Sequence, residues 1–193
     1  MLDALVLSTV VIFVAELGDK SQLMAMTFAS RYRARDVVIG ITLATAIVHL
    51  ASVAIGYWIG AAFADYQGWI SIAAGIAFLG FAAWTLRGDE LTEEEAQKAR
   101  NSGGLAIVAV GAAFFLAELG DKTMLATITL AVQEDWFGTW IGSTVGMVAA
   151  DALAIVVGAM LGKHLPEKLI AYAAAAAFAV FAVVLIVNGV RAV

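Results

Sequence analysis

Glu16-Leu17-Gly18-Asp19-Lys20-Ser21 places two carboxylates, an ammonium group and a hydroxyl in one short stretch. The pattern returns as Glu118-Leu119-Gly120-Asp121-Lys122-Thr123, 102 positions later. On a continuous helix Glu16, Asp19 and Lys20 share a face, as do Glu118, Asp121 and Lys122. Four carboxylates converging in a low dielectric suit a hard divalent cation: calcium, manganese and magnesium all take oxygen ligands. Ser21, Gln22 and Thr123 add neutral oxygens nearby. With no cysteine and only two histidines, a thiolate site or a histidine cluster for copper or zinc is not available. Glu16, Asp19, Glu118 and Asp121 against Lys20 and Lys122 leave two negative charges, which one divalent cation or two protons would neutralise. Crowded acids that lose a metal take up protons instead, which is a physical route to cation/proton exchange.

The elements that carry these groups are apolar. Hydrophobic residues make up 63% of the chain, too many for the surface of a soluble domain of this size, and lipid is the expected solvent. Stretches of about 20 apolar residues span the hydrocarbon. Six are expected, over 5–30, 37–61, 69–87, 104–132, 138–161 and 167–190, so the fold class is an all-α membrane protein. Leu5 onward reads as a retained first helix rather than a signal peptide. Both motif copies then fall at mid-membrane, where each charge costs roughly 2.5–3.5 kcal/mol on insertion scales, and an ionisable group there is a functional candidate by default. A pair of buried structural salt bridges is the competing explanation; two carboxylate-rich copies in matching places weigh against it. No basic stripe favours nucleic acid.

At the same offset of 102, Phe13 matches Phe115, Gly40 matches Gly142, Thr42 matches Thr144 and Gly56 matches Gly158. This is an internal duplication: 1–87 and 104–193 are two three-helix repeats, joined by an acidic linker at 88–103. In that linker, Thr92 and Glu95 fit a capping box for a short solvated helix. Three spans per half is an odd number, so the halves must be inverted, an arrangement that puts transport sites near the midplane. Arg31, Arg33, Arg35, Arg87, Lys98, Arg100, Lys163 and Lys168 share one side against Arg191 on the other. The basic side is therefore cytoplasmic and both termini are not. Trp69, Trp136, Phe137 and Trp140 fall where an outer interfacial belt would lie.

A second layer is asymmetric. His49 sits at the centre of span two, and the repeat offset puts Asp151 at the centre of span five. Asp151 could be a further ligand, a proton carrier or a lysine partner; His49 could relay protons or simply be a hydrogen-bonded core residue. Met24 and Met124 flank the motifs; packing is the simpler role, although a thioether would favour manganese over calcium. Gly56 with Gly60, Gly142 with Gly146, and Gly158 with Gly162 form small faces for tight helix crossing, within the bundle or in a homo-oligomer. Gly18 and Gly120 permit close approach or local unwinding that frees carbonyls.

Two E-x-G-D-[KR]-[ST] motifs, each in the first span of a three-span half, resemble the Gdt-type family of cation/proton exchangers. The resemblance covers nearly the whole chain and neither copy departs from the pattern. It implies manganese or calcium transport coupled to protons, no cofactor, and ion binding by Glu16, Asp19, Glu118 and Asp121, with Lys20, Ser21, Lys122 and Thr123 completing the copies. The compact chain is similar to the bacterial form, which implies the bacterial cytoplasmic membrane. Manganese export is the leading expectation. An exporter of small organic cations or amino acids would want an aromatic cage that is missing beside the motifs. A passive channel would need no proton gradient. An intramembrane enzyme lacks a placed base and nitrogen ligands.

Overall fold

A computed structural model describes residues 1–87, 105–161 and 167–193. These residues form α1 (Leu2–Glu16), α2 (Lys20–Ala29), α3 (Ala34–Ala62), a 3-10 turn (Ala64–Tyr66), α4 (Gln67–Arg87), α5 (Ala106–Glu118), α6 (Lys122–Gln133), α7 (Trp136–Leu161) and α8 (Glu167–Ala192). No strand occurs among the described residues. The acidic linker with Thr92 and Glu95, and Gly162, Lys163 and His164, lie outside them.

Four helices are long and apolar enough to cross a membrane: Ala34–Ala62, Ala64–Arg87, Trp136–Ala159 and Ala171–Ala192. Their outward faces carry large apolar side chains such as Ile47, Trp58, Ile76, Val156 and Val180, all more than half exposed. Such a surface is costly in water and ordinary in lipid. The helices that carry them, α3, α4, α7 and α8, begin and end within three residues of the sequence expectation. The expected first and fourth spans differ: neither is one helix. Each breaks at its motif, into α1 and α2 and into α5 and α6. Gly18 and Gly120 adopt φ of 78° and 82°, and no other described residue has positive φ. A left-handed residue cannot continue a right-handed helix.

The halves do not pack as separate bundles. Helix α1 lies along α7, and α5 lies along α3; α2 touches α7, and α6 touches α3. The same contact is made twice with the halves exchanged. Gly142 on α7 sits against Leu5 on α1, and Gly40 on α3 sits against Ile107 on α5. Gly158 meets Met26 and Gly56 meets Ile128, again 102 positions apart at both partners. Thr45 and Met147, repeat equivalents themselves, meet through a hydroxyl-to-sulfur contact of 3.3 Å. Of the glycines expected to serve helix packing, Gly56, Gly60, Gly142, Gly146 and Gly158 do so inside the bundle, where a missing side chain permits close approach.

The third spans close the structure. Helices α4 and α8 are paired through Phe78 and Phe81 and their counterparts Phe178 and Phe181, 100 positions later. Phe78 stacks edge-on against Phe181 at 4.8 Å and Phe81 at 5.4 Å, with Phe178 at 5.7 Å. Edge-on pairs of this kind add to the burial of the rings themselves. Trp69, Trp136 and Phe137 are exposed, as an interfacial belt requires. Trp140 is half-buried; its indole N–H donates to the Ala46 carbonyl at 2.9 Å and ties α7 to α3.

A side chain at Gly142 would run into the Leu5 backbone, whereas one at Gly80 would meet nothing within 4 Å. Gly142→Leu should therefore cost about 1–3 kcal/mol or more through overpacking, and Gly80→Ala should be neutral or slightly stabilising. Thermal unfolding in detergent measures both, and equal melting temperatures would contradict the packing described.

Candidate functional site

The motif residues stand at the helix breaks, with the chain on either side turned inward. Leu17 and Leu119, with ψ of 122° and 111°, leave the helical region first. Gly18 and Gly120 then reverse the chain, and Asp19 and Asp121, in extended backbone, become the N-caps of α2 and α6. The acids therefore do not share one helical face; Glu16 and Glu118 end one half-helix while the aspartates open the next. Each break leaves a glycine N–H without a helical partner. Gly18 N–H donates to Gln22 Oε1 at 2.8 Å, and Gly120 N–H donates to Met124 Sδ at 3.1 Å. Gln22 and Met124 are repeat equivalents doing the same work, so Met124 braces the turn. Met24 is a core residue, 2% exposed.

Glu16, Asp19, Ser21, Glu118 and Thr123 are wholly buried, and Gln22, Asp121 and Lys122 nearly so. The Ser21 hydroxyl donates to Glu16 Oε1 and lies 3.2 Å from Asp19 Oδ2. In the second copy the Thr123 hydroxyl donates to Glu118 Oε2 at 2.8 Å. Each serine or threonine thus steers its own glutamate. Gln22 also donates from Nε2 to the Ala150 carbonyl at 2.9 Å, fastening the first turn to α7.

The lysines join the two copies crosswise. Lys122 Nζ donates to Asp19 Oδ1 at 2.6 Å, with the two side chains 3% and 0% exposed. Lys20 Nζ lies 3.8 Å from Asp121 Oδ1, at 20% and 4% exposure. The two motifs, far apart in sequence, therefore form one cluster. Glu16 lies within electrostatic reach of Asp19, Glu118, Asp151 and Lys122, and Glu118 within reach of Asp19, Asp121 and Asp151. In this arrangement no three acids or histidines among the described residues converge on a single point. Glu16 Oε2 and Glu118 Oε1 nevertheless have no hydrogen-bond partner among the described residues, nor does either Asp151 oxygen. Buried oxygens without donors are expensive, and oxygen-seeking cations satisfy such atoms.

Asp151, on α7, joins the cluster. Its repeat equivalent His49, on α3, is wholly buried, and neither ring nitrogen makes a hydrogen bond among the described residues. The two centres are chemically unlike although the packing around them is repeated. Several buried hydroxyls carried no distinct sequence signal: Ser8, Thr85 and Thr139 are buried without hydrogen-bond partners among the described residues. Isolated serines and threonines in apolar spans were the available signal, and it is common to many packing residues.

Residues 4–93 and 106–192 match the family described as Divalent cation/proton antiporter GDT1. A Vibrio cholerae protein named "Putative manganese exporter" is 34% identical over 190 residues, covering 94% of this chain and 90% of its own length. A GDT1-like protein of Synechocystis is 31% identical, covering 95% of this chain and 97% of its own. A chloroplastic GDT1-like protein 2 of Oryza sativa is 32% identical over 89% of this chain, which spans 57% of that relative. No solved structure matches.

Gly120 can be tested cleanly, because a methyl group there would meet nothing within 4 Å and the only penalty is its φ of 82°. Gly120→Ala should lower stability by about 1–2 kcal/mol, and Gly120→Asn by less, since asparagine tolerates this conformation. Melting curves in detergent would report it; an unchanged Gly120→Ala would mean that the helix does not break here.

Proposed function

Since the chain belongs to the GDT1 family of divalent cation/proton antiporters, we propose that it exports Mn²⁺ from the cytoplasm in exchange for protons, with Ca²⁺ as a second substrate. The observation that carries this reading is the joining of the two motif copies by Lys122 and Lys20, which gathers Glu16, Asp19, Glu118 and Asp121 into one buried cluster. These four acids bind the ion through oxygen, while Ser21 and Thr123 orient the glutamates and Gln22 fixes the first turn. Asp151 supplies a fifth acid at the same place, either to the ion or to protons. His49 occupies the matching position in the other half and serves proton movement there. Against two lysines, the four motif acids hold one divalent cation or two protons at similar cost in hydrocarbon. That near-equivalence is what lets one replace the other.

The two halves, 1–87 and 104–193 with the linker at 88–103 between them, are inverted three-helix repeats with six spans in total. In this arrangement α1 with α2, and α5 with α6, each make one broken span. Broken spans at a midplane site, with half-helix ends facing the ion, are a recurrent transporter design. Contacts that recur with the halves exchanged, such as Gly142 with Leu5 and Gly40 with Ile107, support it. Arg31, Arg33, Arg35 and Arg87 at one end orient the chain with its termini outside the cytoplasm of a bacterial cell. Rocking of one half against the other would expose the cluster to each side in turn.

The reading is tested in proteoliposomes, with metal flux and internal pH recorded together under proton gradients of either sign. Mn²⁺ should move against protons, and Ca²⁺ more slowly. Glu16→Gln and Asp121→Asn should bring Mn²⁺ flux to background with normal expression, while Ser21→Ala should weaken apparent affinity roughly ten-fold, as loss of an orienting partner does. Full activity in both acid variants would remove the motifs from the mechanism. Flux indifferent to the proton gradient would indicate a channel, and amine flux without metal flux an organic-cation exporter.

A further inference from the structure

We propose that Lys20 and Lys122 are tethered competitors of the transported cation, each occupying the aspartate that the opposite motif copy offers to the ion. The inference rests on the carboxylate site proposed above and assigns the lysines a role within it. Lys122 Nζ lies 2.6 Å from Asp19 Oδ1 in a nearly dry environment. An ammonium at that distance is a compact point charge on the carboxylate, using the oxygen that a divalent cation would need. Metal and ammonium cannot share the oxygen closely, because two cations in a low dielectric repel strongly. Substrate therefore binds Asp19 by displacing Lys122.

The crossing gives that displacement a mechanical consequence. Lys122 belongs to the second half and Asp19 to the first, so the pair is a tie between halves. Arrival of the ion cuts the tie, and departure of the ion allows it to re-form. A lysine within the same half could compete for charge but could not connect occupancy to the packing of α1 and α2 against α6 and α7. The ammonium also shields part of the cluster charge when metal leaves, and thereby helps to expel the ion.

The two pairs are unequal. Lys20 and Asp121 are 3.8 Å apart, beyond hydrogen-bonding distance, and Lys20 is 20% exposed. Through this contact Lys20 holds Asp121 less closely than Lys122 holds Asp19. The sequence offers two identical lysines; the fold gives them different weights.

The sign of the effect on binding tests the idea. Equilibrium Mn²⁺ binding is measured on the purified full chain in detergent, at one pH, for the wild type and for Lys122→Gln, Lys122→Arg and Lys20→Gln. Removing a competitor tightens binding, whereas removing a merely structural salt bridge weakens it. Lys122→Gln should bind Mn²⁺ roughly ten- to hundred-fold more tightly, the range expected for loss of one charge-assisted hydrogen bond to the site. Its proteoliposome exchange should slow because release is impaired. Lys20→Gln should tighten binding by less, and Lys122→Arg, which keeps the charge, should restore the weaker affinity. Unchanged or weaker binding by folded Lys122→Gln overturns the proposal. Should Lys122→Gln fail to fold, Lys20→Gln decides by the same sign. Failure of the wild type to bind Mn²⁺ would instead refute the carboxylate site itself.

Discussion

A charge in hydrocarbon must find a counter-charge, and among the described residues the two motif copies offer theirs to one another. Lys122 reaches Asp19 and Lys20 reaches Asp121. Leaving one member of such a buried pair alone costs about 3–5 kcal/mol, a large fraction of the net stability of a typical domain. The helix pairs that allow the crossing, α1 on α7 and α5 on α3, follow from that requirement together with the glycines that admit close backbones.

The helix breaks serve the same constraint. A continuous helix would project Glu16, Asp19 and Lys20 from one side and hold their backbone groups inside the helix. Left-handed Gly18 and Gly120 instead turn each aspartate into an N-cap, where its carboxylate adjoins the positive end of a half-helix. The interruption creates orphan amides, and Gln22 and Met124 take up the two glycine N–H groups. That an amide oxygen and a thioether fill equivalent positions shows that the fold asks there for an acceptor of suitable reach rather than for one chemical type.

The repeated sequence pattern does not make a symmetric cluster. The outer packing repeats closely, with Gly142 on Leu5 echoed by Gly40 on Ile107, and Phe78 and Phe81 facing Phe178 and Phe181. Toward the cluster the halves diverge: Asp151 against His49, Gln22 against Met124, and a 2.6 Å ion pair against one of 3.8 Å. Packing positions tolerate little change, because a side chain added at Gly142 meets backbone. The polar positions can differ between halves as long as the summed charge remains tolerable to the membrane.

Much of this was legible from the residues in order. Apolar run lengths located α3, α4, α7 and α8, since lipid thickness fixes how many such residues a span needs. The doubled motif nominated Glu16, Asp19, Glu118 and Asp121, because acids in hydrocarbon demand a reason. Glycine spacing foretold close packing, though not the partner helix. Three things were decided only in three dimensions. Gly18 could as well have packed a straight helix as broken one, since glycine permits both and the surroundings choose. That α3 would offer the Trp140 indole its Ala46 carbonyl could not be read from the residues in order. The lysines carried no mark of which aspartate they would hold. Local sequence sets which charges must be neutralised, but the partner of each is set by which surfaces dock, and docking depends on the whole bundle.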